Sequence, residues 1–190
     1  MSLAERKRQL VRDELTEAAL KLLAFQGFEE TTIDQMAAAA GVSRRTFFRY
    51  FQSKEDVIIE FLSDHGRQLS QILSARPTTE PPAVALQHTL RAFTDTFWEH
   101  PEKSQRLAKA TMTTPALLAR YLERQFSWRA MLTPVLAARM GADADTDLRP
   151  AVLVGVAFAA FDTALMRWVE LDSATDLNAL LSECFATAFP

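Results

Sequence analysis

The sequence predicts an all-α fold of about nine helices, and three observations carry that reading. Five glycines and eight prolines in 190 residues are few for a turn-rich sheet protein. No stretch alternates apolar and polar residues long enough for a half-buried strand. Apolar residues instead recur three and four apart, in runs bounded by capping residues.

The first run, Ala4 to Phe25, carries Val11, Leu15, Ala18, Ala19, Leu22 and Leu23 as one stripe, and Gly27 ends it. Thr32 with Gln35 three residues on forms a capping box for a short helix bearing Ile33, Met36, Ala37 and Ala40. Gly41 supplies the left-handed residue that terminates it. Ser43 caps the next short helix, Arg44 to Phe51, where Phe47, Tyr50 and Phe51 share the inward side. Ser53 and Asp56 suggest a second capping box, opening a helix through Val57, Ile58, Phe61, Leu62, His65, Leu69 and Ile72 to about Ser74. RPTTEPP, residues 76–82, is a loop. Helices follow over Ala83–His100, Glu102–Thr111 and Pro115 or Ala116 to Met140, with Pro134 expected to kink or split the last. An acidic loop, Gly141–Pro150, leads to Ala151–Leu171, apolar nearly all round and so buried on more than one side. The final helix is Ala174–Ala188.

Composition bounds the function. The single cysteine, Cys184, excludes an internal disulfide and suits a reducing cytoplasm. Met1–Leu15 is too polar for a signal peptide. The most apolar stretch, Pro150–Phe161, is too short for the roughly 20 residues that span a bilayer, so no membrane partner is expected. The formal net charge is −3, but its distribution matters more than its sum. Arg44, Arg45, Arg49 and Lys54 lie between residues 43 and 54 without an acid, while acids gather toward the C-terminus.

Helix, glycine turn and helix make a helix-turn-helix whose second helix enters a DNA major groove. Arginine's planar fork reads guanine there. Arg44 and Arg45, at the start of that helix, are the expected base readers, with Thr46 and Arg49 contacting base or phosphate. Thr32, Ser43, Tyr50 and Lys54 would hold the phosphate backbone and set register.

FEETTIDQMAAAAGVSRRTFFRYFQSKEDV, residues 28–57, resembles the DNA-binding signature of TetR-type transcriptional regulators. With the preceding helix the likeness covers about the first third of the chain. It implies similar roles for the residues just named. One position departs: the family commonly has a phosphate-donating Tyr where this chain has Phe48, and Arg49 is the candidate substitute. The resemblance divides the chain into a DNA-binding domain, residues 1–52, and a ligand-binding and dimerisation domain, residues 53–190.

In the body, Phe93, Phe97, Met112, Tyr121, Trp128 and Phe158 offer apolar pocket walls, with Arg124 and Asp162 for polarity; Phe161 is a further apolar candidate. Core packing is the plainer role for each of them, and the resemblance implies only that some such pocket exists. His65 reads as a core histidine, with a ligand- or pH-sensitive role as its alternative. Gly155 and Ala159, with Leu177, Leu181 and Cys184, outline a small-residue helix pair suited to two-fold self-association, and the resemblance implies a four-helix dimer interface from the last two helices. SRRTFFRYF is similar to a subset of actinobacterial TetR-type regulators, one of which takes an acyl-CoA. Lys103, Arg106, Arg120 or Arg124 would then serve at the pocket mouth.

No metal-ligand spacing, cofactor motif or nucleophile signature is present, so neither a cofactor nor an enzyme activity is expected. The expected function is a dimeric repressor, released from double-stranded, palindromic operator DNA by a small lipophilic or acyl-type ligand. The alternatives are a DNA-binding regulator without a ligand and, remotely, a small-molecule enzyme using His65 or Asp162.

Overall fold

The computed structural model describes residues 2–63, 65–95, 100–171 and 175–190, and they are helical with short connections. Three helices form the head: α1 (Leu3–Gln26), α2 (Ile33–Ala39) and α3 (Arg44–Tyr50). The body follows as α4 (Lys54–Ser63), α5 (His65–Ala75), α6 (Pro82–Asp95), α7 (Pro101–Thr113), α8 (Pro115–Met140), α9 (Arg149–Glu170) and α10 (Leu177–Ala188). The expected helix from 54 to about 74 corresponds to α4 and α5, which flank residue 64.

Local chemistry sets the boundaries. Ser2 and Glu5 form a capping box on α1, and Thr32 and Gln35 form the expected one on α2. Gly41 (φ 66°) ends α2 in a Schellman motif: Val42 N–H donates to Ala37 O at 2.9 Å and Gly41 N–H to Ala38 O at 3.0 Å. Gly141 (φ 63°) repeats the device after α8. At the start of α4, Ser53 Oγ accepts from Asp56 N–H, but the Asp56 carboxylate reaches back to Gln52 N–H rather than to Ser53.

Two expectations about helices change. Pro134 does not split α8, which runs unbroken to Met140. Losing one N–H there is tolerable because Leu132, Leu136 and Ala137 bury the surrounding turns. The membrane-length reading of the segment near Pro150 also changes, because it counted Pro150–Phe161 and not the whole helix. α9 is the described helix long and apolar enough, by length and composition, to cross a membrane. Its inner side nevertheless packs in the core through Val154, Ala157, Phe158, Phe161, Ala164, Leu165 and Trp168.

One continuous apolar core joins head to body, from Leu15, Met36 and Phe47 through Val57, Ile58 and Leu69 to Trp128, Phe158 and Phe185. α5 lies along α8 at close range, because Gly66 faces the Trp128 ring: a Cβ there would sit 2.5 Å from Trp128 Cδ1. Arg139 pins the loop after α5, donating to Arg76 O at 2.6 Å and Pro77 O at 2.7 Å.

Candidate nucleic-acid interface and cavity

The face of α3 divides as its sequence implies. Phe47 and Phe51 are buried with ring centroids 5.6 Å apart, and Tyr50 is half-buried beside them. Arg44, Arg45, Phe48 and Arg49 are exposed on the opposite side. Arg44 shares its guanidinium with Asp34 of α2 at 3.0 Å, in a pair whose partners are 62% and 64% exposed. Such a pair is worth about 0–1 kcal/mol, so a phosphate or guanine can displace Asp34. Arg45 has no ion pair among the described residues and is the freest cation on the helix. Arg49 leans over the Tyr50 ring and donates to its hydroxyl at 3.3 Å.

The residues expected at the DNA backbone fall into two groups. Thr32 and Ser43 are exposed at the starts of α2 and α3, where each hydroxyl already accepts a helix N–H. Ser43 Oγ also lies 3.0 Å from Thr46 Oγ1, which draws Thr46 into the cap. Lys54 is committed inward: its Nζ donates to Phe28 O at 2.7 Å and sits 4.1 Å from the centre of the Phe28 ring. It ties the start of α4 to the α1–α2 connection.

A cavity of about 500 Å³ lies where the body meets the head. Its walls come from Ile58, Phe61 and Leu62 of α4, His65 of α5 and Phe93 of α6. Ser104, Leu107, Ala108, Thr111 and Met112 of α7, Tyr121 of α8, and Phe161 and Leu165 of α9 complete them, with His100 and Glu17 of α1 at the margin. The volume suits a drug-sized ligand.

Of the pocket residues expected from sequence, Phe93, Met112, Tyr121 and Phe161 line this cavity. Trp128 and Phe158 do not; they are buried behind it, with ring centroids 6.4 Å apart. Arg124 is half-buried on α8, away from the lining, and Phe97 lies outside the described residues. Asp162 supports the wall from behind. Its Oδ1 accepts the Tyr121 hydroxyl proton at 2.8 Å, and Gln125 Nε2 donates to both Tyr121 Oη and Asp162. Arg129 completes the network, 2.8 Å from Gln125 Oε1 and 3.9 Å from Asp162 Oδ2. Burial raises the Asp162 carboxyl above its ordinary value of 3.8, against the lowering pull of Tyr121, Gln125 and Arg129. Burial, and then the Asp162 charge, push the Tyr121 phenol well above 10.0.

Sequence reasoning missed the contribution of α4 and, apart from Met112, that of α7. Ile58, Phe61, Leu62 and His65 recur at helical spacing, as do Ser104, Leu107, Ala108 and Thr111. That periodicity was legible, but it marks an inward face equally well for a core and for a cavity wall.

On the outer side of α9 and α10 a groove is lined by Ala159, Thr163, Leu180 and Cys184 among others. Ala159 is exposed, while Gly155 and Cys184 are half-buried. Leu177 and Leu181 depart from the expected interface: each is 1% exposed, inside the protomer's own core. With Phe185 they form the inner i, i+4, i+8 stripe of α10, leaving Leu180, Cys184 and Thr187 to the outer face.

Comparison with known proteins accords with this geometry. Residues 15–61 match the model of the bacterial regulatory proteins of the tetR family, and residues 80–188 match the MftR C-terminal domain. The chain is 38% identical over 184 residues to the HTH-type transcriptional regulator TcmR of Streptomyces glaucescens, covering 94% of this chain and 81% of that protein. It is 29% identical to the putative mycofactocin biosynthesis transcriptional regulator MftR of Mycobacterium tuberculosis, over 97% of this chain and 90% of that one. Among solved structures, Thermus thermophilus FadR, a TetR-family transcriptional repressor crystallised with lauroyl-CoA, superposes with a TM-score of 0.64 at 21% identity, covering 93% and 92% of the two chains.

Proposed function

The chain belongs to the TetR family of bacterial regulatory proteins and is a DNA-binding transcriptional regulator, and from that premise we propose how its parts work. It acts in the cytoplasm as a homodimeric repressor, with a head of residues 1–52 and a ligand-binding and dimerisation body of residues 53–190. Each protomer lays α3 in a major groove of a palindromic operator, the half-sites about 34 Å apart or a multiple of that. Arg44 and Arg45 read base edges, and Thr46 and Arg49 support them. Thr32, Ser43 and Tyr50 hold phosphates. Lys54 sets the angle of α4 and adds positive charge. The outer faces of α9 and α10, including Gly155, Ala159 and Cys184, pair the two protomers.

A small lipophilic molecule in the cavity releases the DNA. The observation that carries this reading is that the cavity wall includes the head's own α1, through Glu17, and α4, through Ile58, Phe61 and Leu62. Arg12 of α1 and Glu60 of α4 pair at 2.6 Å, and Arg106 of α7 donates to Phe25 O at the end of α1. A ligand wedged between α4 and α7 therefore bears directly on the elements that fix α3. Release requires tighter binding to the form whose two heads are wrongly spaced; equal affinity for both forms shifts nothing.

The test is fluorescence anisotropy of a labelled palindromic duplex from the chain's own upstream region, titrated with purified dimer and then with candidate ligands. Selective binding lost on ligand addition supports the reading. Selective binding that no occupant of the cavity reverses favours a regulator controlled without a small molecule.

A further inference from the structure

We propose that α8 joins α9 and α10 in pairing the protomers, and that Phe126 of each protomer seats in the groove between α9 and α10 of its partner. The inference rests on the reading that α9 and α10 form the pairing face, and it adds a third helix and the anchor residue.

The first observation is an apolar projection on α8. Phe126 is 76% exposed, and Leu122, one turn before it, is 51% exposed. Exposed apolar residues scattered singly are ordinary, but these two continue onto α9. Tyr121 and Gln125 of α8 both hydrogen-bond Asp162, and the Arg129 guanidinium lies 5.4 Å from the centre of the Phe158 ring. Leu122 and Phe126 each directly follow one of those two buried residues, so they stand one step further round the helix, at the outer edge of the α8–α9 seam. On α9, Met166 follows Asp162 by one turn and is 56% exposed.

The second observation is a hollow on the opposite flank of α9. Asp162 faces α8, whereas Ala160 and Ala164, two residues to either side of it, face α10. There the groove encloses about 780 Å³ and is lined by Ala159, Ala160, Thr163 and Ala164 of α9 with Leu180 and Cys184 of α10. None of its lining residues is aromatic. Small side chains leave it open, and α8 carries a ring with nothing to bury it.

Symmetry brings the two together. A dimer on one duplex needs both heads at the same end, so its two-fold axis runs from body to head. α9 runs the same way. Phe161 and Leu165 line the cavity beside α1 and α4, while Arg139, near the end of α8 that leads to α9, is tied to the loop after α5. Half a turn about such an axis keeps every residue at its own height and exchanges the two flanks of α9. The α8 flank of one protomer then covers the α10 flank of its partner. Heights agree as well. Phe126 adjoins Gln125, which meets Asp162, and the groove extends along α9 from Val156 to Leu171 with Asp162 near its middle. An axis perpendicular to α9 would set Phe126 against its own copy and send the heads to opposite ends. An aromatic side chain entering a pocket near the centre of a face is the usual form of an interface anchor.

The experiment uses the full-length protein. Sedimentation equilibrium of Phe126→Ser should show a dimer dissociation constant raised roughly tenfold to a hundredfold. The site is exposed, so circular dichroism should be that of wild type. Mild oxidation of Phe126→Cys tests the seat itself, because Cys184 is the chain's single native cysteine. A disulfide-linked dimer is expected from Phe126→Cys and is expected to disappear when Cys184→Ser is added. Cross-linking that survives Cys184→Ser places Phe126 against its own copy and overturns the seat. A wild-type dimer that Phe126→Ser leaves unchanged, with no cross-linking through Cys184, overturns the part given to α8 and leaves the α9–α10 reading standing. A wild-type dimer weakened by neither Phe126→Ser nor Gly155→Leu removes the α9–α10 face itself, and this inference falls with it.

Discussion

Gly66→Ala is a one-methyl change with a sign worked from geometry. The added Cβ would lie 2.5 Å from Trp128 Cδ1 and 3.0 Å from Met131 Sδ. Met131 is flexible and partly exposed, so it can yield. Trp128 cannot yield so cheaply, because it is 1% exposed and wedged among the rings of His65, Phe93, Tyr121 and Phe158. Overpacking of this kind costs roughly 1–3 kcal/mol. Replacing a helical glycine by alanine returns about 1 kcal/mol through backbone entropy. A 2.5 Å approach puts the cost in the upper part of that range, about 2–3 kcal/mol, so it wins by about 1–2 kcal/mol. In a chain of this size that lowers Tm by roughly 2–8 °C. Differential scanning calorimetry of the variant and wild type, at one protein concentration, measures it. The emission of Trp128 should change with it, since α5 must withdraw from α8. A Tm equal to or above wild type would refute the claim that α5 and α8 pack too closely at Gly66 to admit a Cβ.

Three further predictions follow from the same structure. Asp162 carries a carboxyl raised by burial, so its ionisation opposes folding: the stability it contributes is complete below the unfolded value near 3.8 and is lost as pH rises through the folded value. The Tm advantage of Asp162→Asn over wild type should therefore grow between acid pH and neutrality, and an advantage that shrinks over that range contradicts the assignment. Phe48→Tyr, on the exposed side of α3, should tighten operator binding by about 0.5–1.5 kcal/mol through a new phosphate hydrogen bond. Because a neutral hydroxyl displaces no counterion, the salt slope measured by anisotropy should stay the same. A Cβ added at Gly155 meets nothing within 4 Å in its own protomer, so with Gly155→Leu sedimentation equilibrium should show a weakened dimer; an unaltered dimer removes Gly155 from the interface.

The head was largely legible in the sequence because its information is local. Thr32, Gln35, Gly41 and Ser43 each impose a cap or turn within a few residues, and the structure realises all of these devices. The inward placement of Phe47 and Phe51 followed from the same spacing. The body was less legible because pockets and interfaces are set by which helices meet. Leu177 and Leu181 have the composition of an interface, yet α10 rolls them into the protomer core. Phe158 and Trp128 have the chemistry of a cavity wall, yet they stand one layer behind it. Phe61 looked like ordinary helix periodicity, and only the packing of α4 on α8, with α7 and α9 lining the same cavity, makes it a wall. Lys54 likewise reads as a phosphate ligand until the fold brings Phe28 O, 26 residues away, within 2.7 Å.

The most direct test of the account is the Arg45→Ala variant against wild type on the palindromic upstream duplex and on a scrambled duplex, by anisotropy at two salt concentrations. Arg45 is the exposed cation at the start of α3 with no ion pair among the described residues. The account predicts that wild type prefers the palindrome, and that Arg45→Ala loses about 1–3 kcal/mol on it with a much smaller loss on the scrambled sequence. Equal losses on both duplexes would reduce Arg45 to a phosphate contact, and wild-type binding without preference would contradict α3 as the reader of the operator.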